Sequence, residues 1–481
     1  MESNKGNSKT NGNDINELAE YIIPDRAFRK VLVDSGLKLD NLIESAKEIE
    51  QLEIHDEKIM SLRGIELLVN LKHLSLYQLI VNQCDLSSNS KLESISLRSR
   101  GEFDFLKALS FHNNRNLVSL SLDCDKLIDL NIGYNKGLKS LEIKRNNLKK
   151  LDLPYNSELE TLKFCNNNEI ELDLSNALKL TKLGIEKFSL EKVKMSKNIE
   201  LKNLSLDYCK GNLDFSKYTK LESFYSYDTF LNKLDFTKNL QLESFYLVSL
   251  PPLHYKSLDL DLSQNRKLKY LHLVYNRIDK IDISNNTELL FLELAKNEIN
   301  QIDISKNKKL KYLTLDRNKY LTRLDTSKNT DLERLIFVEL CYTDLNCLKE
   351  LNISKNKKLK SLCLEKTILT KLDISNNSEI EELELGSNYL TELNVSGNLK
   401  LKHLWLNDNK LTELDVSSNT KLEGIDVSNN RLTELDLSKN IRLENDNICV
   451  SDNPIMRLVM PQSRRYKFWD ETLPDEVEII Y

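Results

Sequence analysis

The sequence predicts a right-handed solenoid of parallel β-strands, in which each coil of the chain stacks on the one before it. Three observations lead to this prediction: a motif that recurs about every 21 residues, alternation of apolar and polar residues within each copy, and an asparagine at one fixed place in nearly all copies. The composition agrees, because 40% hydrophobic residues can fill a core, while 12 Gly and 7 Pro are too few for a collagen-like or low-complexity chain. We therefore expect a mainly β protein.

The repeat begins at Leu71 and runs through seventeen units to Arg442, and twelve of these units are 21 residues long. A typical unit, LKHLWLNDNKLTELDVSSNTK from Leu401, reads LxxLxLxxNxLxxLDxSxN, which has the length and spacing of a leucine-rich repeat. The alternation in LxLx predicts a strand with one buried face, and successive copies place such strands side by side at roughly 4.8 Å. The LDxS segment alternates again and predicts a second, short parallel strand on the convex side.

Position 19 of the 21-residue unit, counted from its first Leu, and the equivalent place in units of other lengths, holds asparagine in fifteen of the seventeen copies, and only Ala177 and Tyr218 interrupt the column. An inward amide can satisfy turn backbone groups that the coil leaves unpaired, so we interpret the column as structural. A second, partial column lies at position 9. The members at position 19 are Asn89, Asn114, Asn135, Asn156, Asn198, Asn239, Asn265, Asn286, Asn307, Asn329, Asn356, Asn377, Asn398, Asn419 and Asn440, and those at position 9 are Asn146, Asn167, Asn276, Asn297, Asn318, Asn388, Asn409 and Asn430.

The Asp of LDxS allows two interpretations. It could form a calcium-binding row, but successive copies lack the Gly-rich turns of calcium-binding repeat arrays. We favour a solvated or turn-capping row, because Asp readily bonds to its own backbone in turns. The residues concerned are Asp152, Asp282, Asp303, Asp373, Asp415 and Asp436.

Short segments outside the repeat are expected to close its two ends. We predict a flexible polar tail over residues 1–14, a helical N-terminal cap over 15–48, the solenoid over 49–460 and a C-terminal cap or tail over 461–481. In the last segment, Trp469 is expected to cover the end of the core. The alternative is that a basic-aromatic cluster contacts a partner through Trp469 with Arg464, Arg465 and Lys467.

The cap and the repeat together resemble bacterial internalin-type leucine-rich repeat proteins. The cap of that family carries IPDxxFRxxL, and the unit after it carries an LxGI step. The matching residues are Ile23, Pro24, Asp25, Phe28, Arg29 and Leu32, then Leu62, Arg63, Gly64 and Ile65. The resemblance covers roughly residues 15–460, and the LDxSxN repeats are similar to surface members of the group in gut and oral bacteria. It implies a non-enzymatic surface or secreted recognition protein and specifies no ligand.

Charge and composition argue against several other functions. A net charge of −5 and a pI near 5.9 disfavour nucleic acid and anionic membranes as partners. No apolar run approaches 18 residues, so we expect no transmembrane segment, and residues 1–14 lack the apolar stretch of a signal peptide. Eight widely spaced Cys without a CxxC pair indicate free thiols rather than disulfides or a zinc site. The missing signal and the thiols favour the cytoplasm, whereas the resemblance favours the cell surface.

The six histidines do not form a catalytic or metal-binding group. Three of them, His73, His272 and His403, fall at outward positions of the predicted inner strands, but at least six rows separate any two, far beyond hydrogen-bond reach. Gly-rich phosphate loops and the HExxH and GxSxG motifs are absent from the sequence. We therefore expect no enzyme activity, no metal and no cofactor.

The concave sheet is the expected binding surface, because positions 3, 5, 7 and 8 of each unit point out of it. Most of these positions carry Ser, Lys, Glu or Asn, but five consecutive units carry rings. We call these residues the aromatic strip: Tyr225, Tyr227, Tyr246, Tyr270, His272, Tyr275, Phe291 and Tyr312. Exposed aromatic clusters are typical of binding sites, and a protein or a glycan could pack on them. The alternative is that the rings stack only to stabilise neighbouring strands.

Insertions interrupt the repeat at residues 98–108, 248–257 and 338–350. Loops on a rigid scaffold often carry recognition, although tolerated insertions are the simpler explanation. The sequence thus predicts a monomeric recognition or adhesion protein that binds a protein, or alternatively a glycan, through its concave face. The second hypothesis is an intracellular leucine-rich repeat scaffold or effector that mediates protein–protein interaction.

Overall fold

In a computed structural model, the chain forms a mainly β solenoid of parallel strands with a small group of helices at its N-terminus, which confirms the predicted fold class. The Leu and Ile positions of the repeat fill its core. The chain divides into two compact units, residues 1–221 with 229–233 and residues 222–228 with 234–481. The structure describes residues 12–55, 59–77, 81, 84–99, 108–153, 155–166, 170–231, 234–250, 258–338, 348–462 and 477–480.

Three α-helices precede the repeat in the part of the chain that the structure describes: α1 Gly12–Ile22, α2 Arg26–Asp34 and α3 Leu42–Ala46. Pro24 separates α1 from α2, as expected for a residue that interrupts a helix. None of the helices among the described residues is long and apolar enough to span a membrane.

Asp25 joins these helices to the first coil. One of its carboxylate oxygens accepts a hydrogen bond from the backbone N of Phe28 at 3.0 Å and so caps α2. The other oxygen accepts bonds from the backbone N of Met60 and Ser61 at 2.7 and 3.1 Å. A single carboxylate therefore fixes the start of a helix and the position of a segment 35 residues further along the chain.

Gly64 packs against the same cap. Its φ is +108°, and a Cβ there would lie 2.6 Å from Cγ1 of Ile23. The Arg29 guanidinium donates a hydrogen bond to the Ile23 carbonyl oxygen at 2.7 Å, which holds Ile23 in place. The IPDxxFR and LxGI segments thus pack on each other, and only glycine fits the point of contact.

The strands belong to an inner sheet, built by LxxLxL, and to shorter pairings elsewhere in the coils. In chain order they are β1 Gln51–Ile54, β2 His73–Tyr77, β3 Ser94–Ser99, β4 Ala108–Ser110, β5 Ser119–Cys124, β6 Asp129–Asn131, β7 Ser140–Asn146, β8 Thr161–Asn166, β9 Leu172–Asp173, β10 Lys182–Glu186, β11 Val193–Lys194, β12 Asn203–Asp207, β13 Lys210–Gly211, β14 Ser223–Tyr227, β15 Phe230–Leu231, β16 Ser244–Val248, β17 Tyr270–Val274, β18 Phe291–Glu293, β19 Tyr312–Thr314, β20 Arg334–Ile336, β21 Ser361–Cys363, β22 Glu382–Glu384, β23 His403–Trp405, β24 Gly424–Asp426, β25 Glu434–Asp436, β26 Ile448–Cys449, β27 Arg457–Val459 and β28 Glu478–Ile480.

The inner sheet of each unit is parallel throughout. In the first unit, β1, β2, β3, β5, β7, β8, β10 and β12 pair in that order. In the second unit the order is β14, β16 to β24 and β26. Equivalent repeat positions pair with each other, as Leu271 does with Leu292 and Leu292 with Leu313. Each repeat position therefore forms a column across the sheet.

The second strand of each coil is less regular than the sequence predicts. Among the described residues, LDxS or equivalent segments pair as strands in β4–β6, β9–β11 and β25–β27, and the chain end adds β28 to the last of these. Side chains also bond to this segment, both in coils with this strand pairing and in coils without it. Ser305 N donates to Asp303 Oδ1 at 2.8 Å, and the Ile304 carbonyl accepts from Asn329 at 3.0 Å.

The position-19 asparagines perform the predicted structural role. Asn307 is fully buried, and its Nδ2 donates to the carbonyl oxygens of Ile283 and Asn286, at 3.0 and 2.9 Å, in the preceding coil. The same two bonds recur along the column, so an Asn amide reaches the backbone of the Asn before it in most coils, and Asn198 reaches Ala177 in the same way. At position 9, Asn297 donates to the Leu273 carbonyl at 2.8 Å and accepts from Ile278 N at 3.1 Å. Asn167 lies outside the described residues.

Five of the six aspartates of the row cap turns, as predicted. In these five, one carboxylate oxygen accepts a hydrogen bond from the backbone N of the Ser two residues on, at 2.8 or 2.9 Å. The carboxylates that do so include Asp282, Asp303, Asp373, Asp415 and Asp436. These bonds hold the pKa of each carboxyl below its usual value of 3.8, because they stabilise the ionised form. Asp152 has no such Ser; its carboxylate is exposed and lies 2.5 Å from the Nζ of Lys150.

Candidate functional site

The aromatic strip lies on five neighbouring strands of the second unit: β14, β16, β17, β18 and β19. Residues of these strands alternate between the core and the opposite face, as the pleat requires. Phe224, Phe245, Leu271, Leu292 and Leu313 are buried in the core. The ring-bearing residues that alternate with them consequently lie together on the outward face of the inner sheet.

Five rings of the strip follow one another across the sheet. The ring centroids of Tyr225 and Tyr246 are 4.4 Å apart, and those of Tyr246 and His272 are 3.9 Å apart, with interplanar angles of 14° and 10°. His272 and Phe291 follow at 6.5 Å, and Phe291 and Tyr312 at 6.1 Å. The series passes from repeat position 5 to position 3 at Phe291, so rings from two repeat positions form one continuous series.

Tyr227 and Tyr275 belong to a second small cluster beside this series. Both pack with Tyr246 against the buried side chains of Val248, Val274 and Ala295. The ammonium of Lys296 lies 4.4 Å from the ring centroid of Tyr275, within the range of a cation–π interaction. The predicted residues are thus brought together in one area of the sheet.

The rings are stacked and also accessible to a ligand. The stacking agrees with the alternative that the rings only stabilise neighbouring strands, and such pairs contribute about 0.2 to 1 kcal/mol each. However, Tyr225, Tyr270 and Tyr312 remain 37%, 49% and 41% exposed. Strand pairing therefore leaves a large part of each of these three tyrosines available for contact.

His272 is oriented by a carboxylate. Its Nδ1 lies 2.7 Å from Oε2 of Glu293, the residue paired with it on the next strand. Both side chains are largely buried. The contact holds the imidazole parallel to the Tyr246 ring, so Glu293 positions a member of the strip.

A group of carboxylates adjoins the strip and was not singled out from the sequence. We call Glu293, Asp316, Glu365 and Glu384 the acid patch. They occupy repeat positions 5 and 7, outward positions that carry rings in earlier coils. A comparison of these positions in successive units of the sequence would therefore have found them. All four are half-buried, and Ile336 and Val338 lie at the same positions of the intervening coil.

Two carboxyls of the acid patch have raised pKa values. Burial is the main cause for Asp316, and Glu293 adds to it, while a hydrogen bond from Val338 N at 3.0 Å opposes it. Burial is also the main cause for Glu365, followed by the charge of Glu384. The ionised forms are therefore held under mutual repulsion in a partly dehydrated surface.

Other candidate residues stay apart. His403 lies on β23 near Trp405, with ring centroids 6.0 Å apart, and five strands separate it from His272 on β17. Across the described ranges, no group of three or more His, Cys, Asp or Glu has an arrangement that could hold a metal ion. The interior of each predicted insertion, and Trp469 with its basic neighbours, lie outside the described residues.

The described cysteines are free thiols, as predicted: Cys84, Cys124, Cys165, Cys209, Cys363 and Cys449. Burial raises the pKa of Cys209 to about 12, which keeps this thiol protonated and unreactive. Cys341 and Cys347 lie outside the described residues.

The fold has known counterparts. No protein-family model matches the chain, and no curated protein matches it. Among solved structures, a leucine-rich repeat protein of Leptospira interrogans is 21% identical over 77% of this chain and 93% of that chain, with a TM-score of 0.61. The chain is a leucine-rich repeat solenoid. Drosophila Toll, in a complex with Spätzle, is 16% identical over 85% of this chain and 57% of the Toll chain, with a TM-score of 0.57.

Internalins are also among the matches. The functional domain of InlJ from Listeria monocytogenes is 22% identical over 92% of this chain and 82% of that chain, with a TM-score of 0.49. Because the sequence identities are this low, the matches show similarity of fold alone. Assignment of the solenoid to the internalin type, from its cap motif and repeat consensus, stays a prediction.

Proposed function

We propose that the protein is a non-enzymatic recognition protein that binds a protein ligand on the concave face of its solenoid, through the aromatic strip. The observation that carries the proposal is a continuous series of five rings with three exposed tyrosines on one sheet face. Tyrosine is a frequent anchor of protein interfaces, because it supplies apolar area and a polar tip at small entropic cost. Toll, whose fold matches this solenoid, has been solved in a complex with Spätzle, which supports a binding role.

A glycan is the second candidate ligand, because sugars also stack on aromatic rings. Location at the cell surface or in the medium is part of the proposal, with the cytoplasm as the alternative. Buried thiols do not oppose an extracellular location: Cys124, Cys209 and Cys363 are covered by the core and are poorly placed to react.

The test is a binding screen with two kinds of probe, a phage-displayed library of protein domains and a printed array of glycans. Binders are then measured against Tyr246→Ala plus Tyr270→Ala. We expect binding of a protein domain to weaken about thirtyfold or more, as for the loss of interface anchors. The melting midpoint should change by only a few degrees.

Tyr134→Ala plus Tyr155→Ala is the matched control. These two tyrosines are 56% and 60% exposed, belong to the first unit and are not members of the strip. Binding should be unaffected by this pair. Equal binding by the wild type and the Tyr246/Tyr270 variant would reject the proposed site, and a collapsed melting midpoint would favour rings that serve only the sheet.

A further inference from the structure

The acid patch continues the aromatic strip along the same sheet face. Glu293 lies on β18 together with Phe291 of the strip, and β18 pairs with β19, which carries Tyr312. Beyond β19, position 5 carries Ile336, Cys363 and Glu384 in register. The rings and the carboxylates therefore share strands at one end and form one surface from β14 to β22.

Lysines next to the acid patch are already paired with other acids. Lys311 and Lys360, at repeat position 2, both contact Glu333, at 3.2 and 2.8 Å. By contrast, Asp316 and Glu365 form no ion pair with a Lys, Arg or His among the described residues. The charge of the acid patch is therefore not neutralised by the basic residues beside it.

The cations at repeat position 8 also do not neutralise the acid patch. Arg317 and Lys296 favour the ionised form of Asp316, and Lys366 does the same for Glu365. Burial and the neighbouring carboxylates outweigh them, because the pKa of both Asp316 and Glu365 is raised. A partner that brought positive charge to this place would relieve an existing cost, whereas a nucleic acid or a sulfated glycan would increase it.

We propose that the ligand is a basic polypeptide segment that lays aromatic or aliphatic side chains on the aromatic strip and lysine or arginine side chains among Asp316, Glu365 and Glu384. This inference rests on the proposed binding role of the strip. Half-buried Ile336 and Val338 offer an apolar floor for the stems of such side chains, whose charged ends reach the carboxylates. Eight strands at roughly 4.8 Å spacing extend over about 34 Å, which an extended segment of about ten residues can span.

The experiment selects a phage-displayed library of random peptides, each about 12 residues long, against the immobilised full chain. Enriched peptides are synthesised, and their dissociation constants are measured at low and physiological salt. We expect Lys or Arg together with aromatic or aliphatic residues in the enriched peptides. Their affinity should fall with added salt, as expected for opposite charges that meet at a surface.

Three double variants test which residues bind these peptides. Asp316→Asn plus Glu365→Gln should weaken these peptides about tenfold or more, because it removes the attracting charge and keeps the shape. Glu392→Gln plus Glu413→Gln is the matched control: it removes the same charge from exposed positions of the LxxLDxS segment and should leave affinity unchanged. Tyr246→Ala plus Tyr270→Ala should weaken the same peptides as well.

The outcomes separate this inference from the proposed function. Neutral or acidic peptides that require Tyr246 and Tyr270 would overturn the basic ligand and support the strip. Basic peptides that bind the tyrosine variant as tightly as the wild type would overturn both, since the attraction would then not involve the rings. Failure to enrich any peptide would overturn the inference, and a neutral glycan that requires Tyr246 and Tyr270 would then leave the strip as the binding site.

Discussion

The position-19 asparagines use their amides as donors to carbonyl groups of the preceding coil, as Asn286, Asn307 and Asn377 do. The Nδ2 of Asn307 bonds to the carbonyl oxygens of Ile283 and Asn286, while its Oδ1 is buried with no donor among the described residues. The side chain therefore stabilises the coil through its N–H groups. Leucine, of similar size, would fill the space but would leave both carbonyls without a partner.

We expect Asn307→Ala to lower the free energy of unfolding by about 1 to 3 kcal/mol, the cost of leaving buried polar groups unpaired. Urea unfolding, followed by circular dichroism, measures the change. Asp303→Ala, four residues earlier in the same coil, is the control and should have a smaller effect, because Asp303 is exposed and its bond can be replaced by water. Equal losses for the two variants would show that the column does not hold the coils together.

At the scale of the element, the N-terminal cap depends on one carboxylate. Asp25 accepts backbone hydrogen bonds both from the first turn of α2 and from the loop at Met60 and Ser61. Neither segment has strong intrinsic order, since α2 has only nine residues and the loop has no strand partner of its own. The cap and the first coil are therefore expected to lose order together.

Asp25→Asn and Asp25→Ala test this coupling by hydrogen exchange of backbone amides. We expect Asp25→Ala to speed exchange in α2 and near Met60 about tenfold or more, because it removes the cap and both distant bonds. Asp25→Asn keeps one acceptor oxygen and should give an intermediate effect. Exchange that rises in α2 alone would contradict the coupling.

At the scale of the whole molecule, many small capping interactions have the same pH dependence. The pKa of ten described aspartates is lowered chiefly by hydrogen bonds from the Ser two residues later: Asp85, Asp173, Asp214, Asp261, Asp282, Asp303, Asp325, Asp373, Asp415 and Asp436. A carboxyl with a lowered pKa in the folded state stabilises the fold above its unfolded pKa and loses that contribution as the pH falls through the folded value. Asp316 and Glu365, with raised pKa values, act in the opposite direction but are fewer.

The protein should therefore lose stability steeply as the pH falls from about 4, near the ordinary pKa of aspartate, toward the lower folded values. Urea unfolding at a series of pH values measures this dependence. Asp303→Asn, Asp373→Asn and Asp415→Asn together keep an acceptor for each Ser and remove the titration, so the triple variant should lose less stability on acidification. An identical pH dependence for the wild type and the triple variant would contradict the assigned role of the row.

The sequence by itself determined the coil, the inner strands, the asparagine columns and the position of the aromatic strip. These features depend on which residues occupy equivalent places in successive copies, and a period of about 21 residues converts that spacing directly into neighbours across a sheet. Tyr225, Tyr246 and His272 stack in the structure for this reason, since each holds position 5 of its coil.

Only the tertiary structure decided how the charged positions behave. Glu333 and Glu365 are both ordinary acids in the sequence, yet two lysines pair with the first, whereas burial and its carboxylate neighbours raise the pKa of the second. The two carboxyls differ because of their hydration and the electrostatic field of charges in nearby coils. Neither of these can be deduced from the spacing of residues within one unit.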